Sequence, residues 1–153
     1  QEPEPQSALV SIDPARQYMV AMVGGYDFDA NEFNRAFQAC RQPGSSFKPI
    51  VYSGAIELMG YTEGTVLVDS PLVYDDPENQ NRWKPENYDE GFKGEVLLKE
   101  ALTNSMNIPA VKTFIDLARF LGKKNEVIGI QAIGEFAHKL GFSTLANFFF
   151  CAM

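Results

Sequence analysis

A proline at the head of an apolar run constrains this chain more than any other residue. Pro49 leads into Ile50-Val51-Tyr52-Ser53-Gly54-Ala55-Ile56-Glu57-Leu58-Met59-Gly60, and because it has no N–H it sits in a helix only within the first turn. The helix therefore starts at or near Ser45, inside the breaker cluster Arg41-Gln42-Pro43-Gly44-Ser45-Ser46-Phe47-Lys48-Pro49, and Gly60 supplies its stop. The run is largely apolar, which predicts a buried helix. A serine is thus expected at a buried helix start, with a lysine three residues further along the same face.

The rest of the chain organises around that helix. Ala8 to Asp13 and Tyr18 to Val23 are β-prone runs joined by Pro14-Ala15-Arg16-Gln17 and closed by Gly24-Gly25, which predicts an antiparallel hairpin. The segment 29–38 opens with capping residues and sets Phe33 and Phe37 one helical turn apart, so a short helix or turn is expected there. From Tyr61 to Gly94 the chain is rich in Asp, Asn, Pro and Gly, with one β-prone run at Thr65 to Val68; this is a long irregular excursion of the functional kind. The period of the apolar residues predicts a helix over Val96 to Asn104. A break follows at Ser105-Met106-Asn107-Ile108, then a helix opened by Pro109 and closed by Gly122, and another over Val127 to Leu140. Phe114, Phe120 and Phe136 fall at helical spacing and are expected in the core.

Composition excludes several classes of function. The 153 residues carry a formal net charge of −7, so the chain has neither a phosphate-neutralising stripe nor a polybasic run, and no nucleic acid is expected as partner. No stretch approaches the ~20 apolar residues of a membrane span, and QEPEPQ has no character of a targeting segment. His138 is the one histidine and Cys40 and Cys151 are far apart, so no zinc or redox spacing exists; whether the two cysteines pair is left open. Asp75, Asp76 and Glu78 lack calcium-loop spacing and read as a solvated turn. No metal and no cofactor is expected.

Ser45 and Lys48 form Ser-x-x-Lys. At a helix start the dipole favours a developing alkoxide, and a desolvated lysine can serve as base. By itself the motif is weak, since it arises by chance in roughly every second chain of this size. Ser105-Met106-Asn107, lying between two helices, offers a hydroxyl to pass a proton and an amide to hold a carbonyl or the lysine; taken alone it also reads as ordinary helix capping. Trp83 and Tyr88 either line a groove or anchor the long excursion, the anchor being the simpler reading.

The runs ALVSIDP, MVAMVGGYDF, FNRA, RQPGSSFKP, WKPENYD and LKEALTNSMNIPAVK, in that order, resemble the transpeptidase domain of class A (bifunctional) penicillin-binding proteins. The resemblance covers residues 8 to about 141. It implies an α+β fold, an N-terminal β-hairpin of an antiparallel sheet plus a helical cluster, as a truncated part of the serine β-lactamase/penicillin-binding transpeptidase fold. The active-site set of that superfamily is S-x-x-K, S-D-N (S-x-N here) and K-T-G. The resemblance therefore implies Ser45 as acylated nucleophile, Lys48 as its base or relay, and Ser105 and Asn107 as the second motif.

The third motif has no match in the chain: Lys112-Thr113-Phe114 lacks the glycine and falls inside a helix. Domain limits are expected at 1–7 for a linker, 8–141 for a partial transpeptidase domain and 142–153 for an atypical tail. The implied substrates are the D-Ala-D-Ala stem peptide of peptidoglycan and β-lactam antibiotics. The implied parent is a membrane-anchored synthase with an upstream glycosyltransferase domain, in the periplasm or at the extracytoplasmic face of a bacterial inner membrane. Two alternatives stand beside this reading. One is a non-catalytic remnant or interaction module, which the missing third motif favours, and on that ground the chain by itself is expected to be inactive; the other is a serine β-lactamase, which Met106 in place of Asp and the lack of a recognisable deacylating Glu disfavour.

Overall fold

The computed structural model describes residues 5–75, 82–88, 91–123 and 125–142. The chain divides into two compact units, Gln1–Arg41 and Gln42–Met153.

In the first unit the predicted hairpin forms, β1 (Leu9–Asp13) pairing antiparallel with β2 (Tyr18–Val23). Asp13 shapes the reversal: its carboxylate accepts from the N–H groups of Ala15 at 3.0 Å and Arg16 at 3.2 Å. The register slips between Ser11 and Ile12, the mark of a β-bulge. Apolar side chains such as Leu9, Ile12 and Val20 stay exposed, so the hairpin buries neither face within its unit. Residues 29–38 make turns and no helix. The Asn34 side chain accepts from Ala36 N–H and its backbone carbonyl from Phe37 and Gln38, closing the chain locally before a helix can propagate. Gly24 is required here, because a Cβ would lie 2.4 Å from Asn34 Oδ1.

The second unit holds the helical cluster. A 3-10 turn at Gly44–Phe47 runs into α1 (Lys48–Met59), with Pro49 in the first turn and Gly60 capping the end in the left-handed region. Further on lie β3 (Val66–Asp69), the two-residue strands β4 (Tyr74–Asp75) and β5 (Arg82–Trp83), and β6 (Gly94–Leu97). The helices that follow are α2 (Leu98–Thr103), α3 (Asn107–Leu121) and α4 (Glu126–Lys139). Two apolar clusters hold them together. Ile50 and Val51 of α1 pack with Leu117 and Ala118 of α3 and Ile133 and Ala137 of α4. Tyr52, on the next face of α1, packs with Leu67, Val96, Leu98, Ala101, Met106 and Ala110. Helix α1 is thus buried on two sides, while Ser53, Ile56, Glu57 and Leu58 stay exposed, so the predicted burial is partial.

Three expectations change. Val96 and Leu97 belong to β6, because pairing with β3 (Leu67 opposite Val96, Val66 opposite Leu97) gives them ladder hydrogen bonds that outweigh the helical period; α2 begins at Leu98. Helix α3 starts at Asn107, so Pro109 lies within its first turn and does not open it. Phe120 is 55% exposed and stands outside the core, whereas Phe114 and Phe136 pack against it. Residues 143–153, Cys151 among them, lie outside the described residues, as do Asp76 and Glu78.

Candidate active site

The local chain geometry at each end of α1 and α2 sets where the reactive groups stand. Gly44 has φ +52°, and no atom lies within 4 Å of where its Cβ would be. Its use is therefore the left-handed backbone that launches the 3-10 turn, and close approach of a neighbour is not what requires it. Ser45 stands exposed in that turn and Lys48 is the first residue of α1.

Helix α2 ends in a Schellman motif: Ser105 N–H bonds to Leu102 C=O at 3.0 Å and Met106 N–H to Ala101 C=O at 2.9 Å. Ser105 occupies the position that glycine usually takes and holds φ 51°, a conformation costing an L-residue roughly 1–2 kcal/mol. The reversal at Ser105 presents both its carbonyl and its hydroxyl to one neighbour. That neighbour is Lys48, whose Nζ lies 2.5 Å from Ser105 O and 3.1 Å from Ser105 Oγ. Two residues on, Asn107 Oδ1 accepts from the same Nζ at 2.7 Å.

The amide of Asn107 is fixed end for end, since its Nδ2 donates to the Glu86 carbonyl at 2.9 Å. Its oxygen therefore faces the lysine. A neutral lysine has two N–H groups and one lone pair. Ser105 O and Asn107 Oδ1 accept and cannot donate, so they take the two N–H groups and leave the lone pair for a hydroxyl. Burial pushes the Lys48 ammonium below its ordinary 10.5, in the direction that frees that lone pair.

Ser45, Lys48 and Asn107 line one cleft of about 490 Å³, which Phe114 and Trp83 also wall. Ser105 reaches the site through Lys48. Of the four residues taken from the sequence, the structure brings Lys48, Ser105 and Asn107 into hydrogen-bond contact and sets Ser45 in the same cleft.

Trp83 lines the cleft, and Tyr88 is 99% exposed. Lys112, head of the false third motif, donates to Val68 O at 3.0 Å and Ser70 Oγ at 2.7 Å, and Thr113 is buried against Pro109 O; both are framework contacts. His138 is exposed on α4 and bonds through Nδ1 to Phe142 O at 2.8 Å.

Sequence reasoning missed Asp69 and Asn87. Asp69 has no exposed surface, and its Oδ1 accepts from Asn87 Nδ2 at 2.8 Å. Asn87 lies within the quoted run WKPENYD, but nothing in its spacing marks it as a partner of residues twenty positions later.

Comparison with known proteins places the chain in a family. Residues 7–148 match the family described as the penicillin binding protein transpeptidase domain. The chain is 44% identical over 143 residues to penicillin-binding protein 1A of Neisseria gonorrhoeae and 37% identical over 142 residues to that of Pseudomonas aeruginosa. Each alignment takes in 93% of this chain but 16% of the relative, so the chain spans about one-sixth of the length of the curated relatives it matches. Among solved structures it is similar to PonA1 of Mycobacterium tuberculosis in complex with penicillin V, with TM-score 0.70 and 30% identity, covering 93% of this chain and 33% of that one. It is also similar to penicillin-binding protein 1A of Haemophilus influenzae, with TM-score 0.62 and 32% identity over 88% of this chain and 18% of that one. An α+β chain with small antiparallel sheets, matched along nearly its whole length in both sequence and structure, belongs to the penicillin-binding protein transpeptidase domain family.

Proposed function

We propose that the chain carries the nucleophile, base and second motif of a D,D-transpeptidase from a bifunctional cell-wall synthase, the third motif having no match in it. Ser45 is the nucleophile, Lys48 the general base, Ser105 a proton relay and Asn107 the group that orients the lysine. The observation that carries this reading is the acceptor set around Lys48 Nζ, with Ser105 O at 2.5 Å and Asn107 Oδ1 at 2.7 Å, beside Ser45 in one cleft.

The lone pair of neutral Lys48 takes the Ser45 hydroxyl proton, directly or through Ser105 Oγ, as Ser45 Oγ attacks the carbonyl of the penultimate D-alanine of a stem peptide. The C–O ester bond forms and the C–N bond to the terminal D-alanine breaks. The departing amine takes the proton back by the same route. An amine of a neighbouring strand then displaces Ser45 and closes the cross-link. A β-lactam enters by the same attack, opening its ring on Ser45.

On this reading the substrate is the D-Ala-D-Ala stem peptide, and the parent synthase works at the extracytoplasmic face of a bacterial inner membrane, held there by an anchor. Similarity to a structure solved with penicillin V supports the β-lactam part of the reading. Among the described residues no helix is long and apolar enough to cross a membrane.

The test is intact mass after incubation of the chain with excess benzylpenicillin. One adduct per chain, absent from Ser45→Ala, is the expected result. No adduct in a chain folded by circular dichroism overturns the catalytic reading in favour of a non-catalytic module.

A further inference from the structure

Helix α3 has no cap of its own. Its N-cap residue is Met106, which makes no side-chain hydrogen bond to the helix, yet the first N–H groups of a helix need acceptors. Asn87, from the segment between β5 and β6, supplies one: its Oδ1 accepts from Asn107 N–H at 3.0 Å and Ile108 N–H at 3.2 Å. The other end of the same amide donates to Asp69 Oδ1 at 2.8 Å and Gly91 O at 2.9 Å.

Asn87 is 8% exposed and all four of its hydrogen-bonding positions are taken, so the amide has one orientation. Asp69 is in turn held by Lys93 N–H, which donates to its Oδ2 at 2.8 Å. The neighbouring Glu86 carbonyl accepts Asn107 Nδ2. Residues 86 and 87 thereby grip Asn107 at both its backbone and its side chain, and the grip leaves Oδ1 facing Lys48.

The consequence reaches the base. Were Asn107 to swing or turn over, an N–H in place of Oδ1 would face Lys48 and occupy the lone pair that must receive the serine proton. We propose that Asn87, braced by Asp69, is a positioning residue for acylation: it holds Asn107 so that Lys48 keeps its lone pair for Ser45. The proposal rests on the reading of Ser45 and Lys48 given above.

The test is the second-order rate of adduct formation with a fluorescent penicillin on the full chain, across pH, read together with the amplitude at completion. Four variants are compared with wild type: Ser45→Ala, Asn87→Asp, Asp69→Asn, and Asn87→Asp combined with Asp69→Asn. Asn87→Asp keeps the shape and the acceptor for α3 but turns an acceptor toward Asp69 Oδ1 and Gly91 O. It should slow acylation about 100-fold at neutral pH, the scale of a misplaced catalytic group, with full final amplitude.

As pH falls and the introduced carboxyl regains a proton to donate, the ratio of wild-type to variant rate should narrow. In the combined variant the Asp69→Asn amide donates to the carboxylate that Asn87→Asp introduces, while Gly91 O loses its donor, and part of the rate should return. A wild-type rate in Asn87→Asp, or a defect wholly in amplitude with the rate of the remaining active molecules unchanged, overturns the proposal while leaving the reading of Ser45 intact. No adduct in wild type, or an adduct that persists in Ser45→Ala, overturns that reading and the proposal with it.

Discussion

Lys48 Nζ lies 2.7 Å from Asn107 Oδ1, although 59 residues of sequence separate the two. Each belongs to the first turn of its own helix, α1 and α3, and those helices pack through Ile50, Val51, Leu117 and Ala118. The core therefore places the Lys48 amine: any change that spreads the two helices also moves an acceptor away from it.

The pH dependence of acylation follows from Lys48. Burial holds its ammonium below 10.5, and the proposed mechanism needs the free amine. The rate with benzylpenicillin should rise with pH along a limb whose midpoint lies below 10.5, and Lys48→Arg should abolish the limb and slow acylation by about 100-fold or more. The same shift bears on folding. An unfolded lysine binds its proton more tightly than this one, so the Lys48 contribution to stability should rise with pH through the window below 10.5 and vanish in Lys48→Met. Stopped-flow acylation and denaturant titrations at several pH values check both.

Ser105 separates stability from activity. At φ 51° glycine relieves backbone strain, which its greater unfolded-state entropy partly offsets. Ser105→Gly should leave stability within about 1 kcal/mol of wild type or above it, yet slow acylation because the hydroxyl proposed as relay is gone. Ser105→Ala keeps the strain and loses the hydroxyl, so it should be the less stable of the two and equally slow. Urea melts beside acylation rates distinguish them.

Tyr52 buries a hydroxyl that finds no partner among the described residues. Removing an unsatisfied polar group recovers its desolvation cost, so Tyr52→Phe should be neutral or stabilising by up to about 2 kcal/mol. Burial also pushes the phenol from 10.0 to about 12. Between those values the unfolded phenol has lost its proton and the folded one retains it. Stability should therefore fall as pH rises through that window, and Tyr52→Phe should flatten the slope. Thermal melts from pH 9 to pH 12 on wild type and variant give the comparison.

Gly129 lets α4 cross α3 at van der Waals contact. A Cβ at this position would stand 1.7 Å from the Ala118 carbonyl oxygen, which is backbone and cannot turn aside. Gly129→Ala should force the helices apart and destabilise the fold by about 3 kcal/mol, the upper end for overpacking. Gly134→Ala, on the same helix with open space where its Cβ would go, should be neutral or slightly stabilising. Parallel denaturant melts of the two variants provide an internal control.

The sequence by itself determined the elements and their order wherever local chemistry has one solution. Pro49 and Gly60 bracket α1, Asp13 and the residues after it turn the hairpin, and the break expected from Ser105 follows α2, though it is shorter than its sequence suggests because Asn107 and Ile108 already belong to α3. Spacing also placed Ser45 and Lys48 together at one helix start, where both line the same cleft. Tertiary structure decided the rest, because hydrogen bonds between distant segments depend on which surfaces meet. Val96 and Leu97 became a strand only because β3 offered them a partner. Asp69 was buried only because the Asn87 amide and the Lys93 N–H came to meet it. Which oxygen faces Lys48, and hence where its lone pair points, was settled by Glu86 and Asn87; no periodicity or propensity in the chain encodes a bond of that kind.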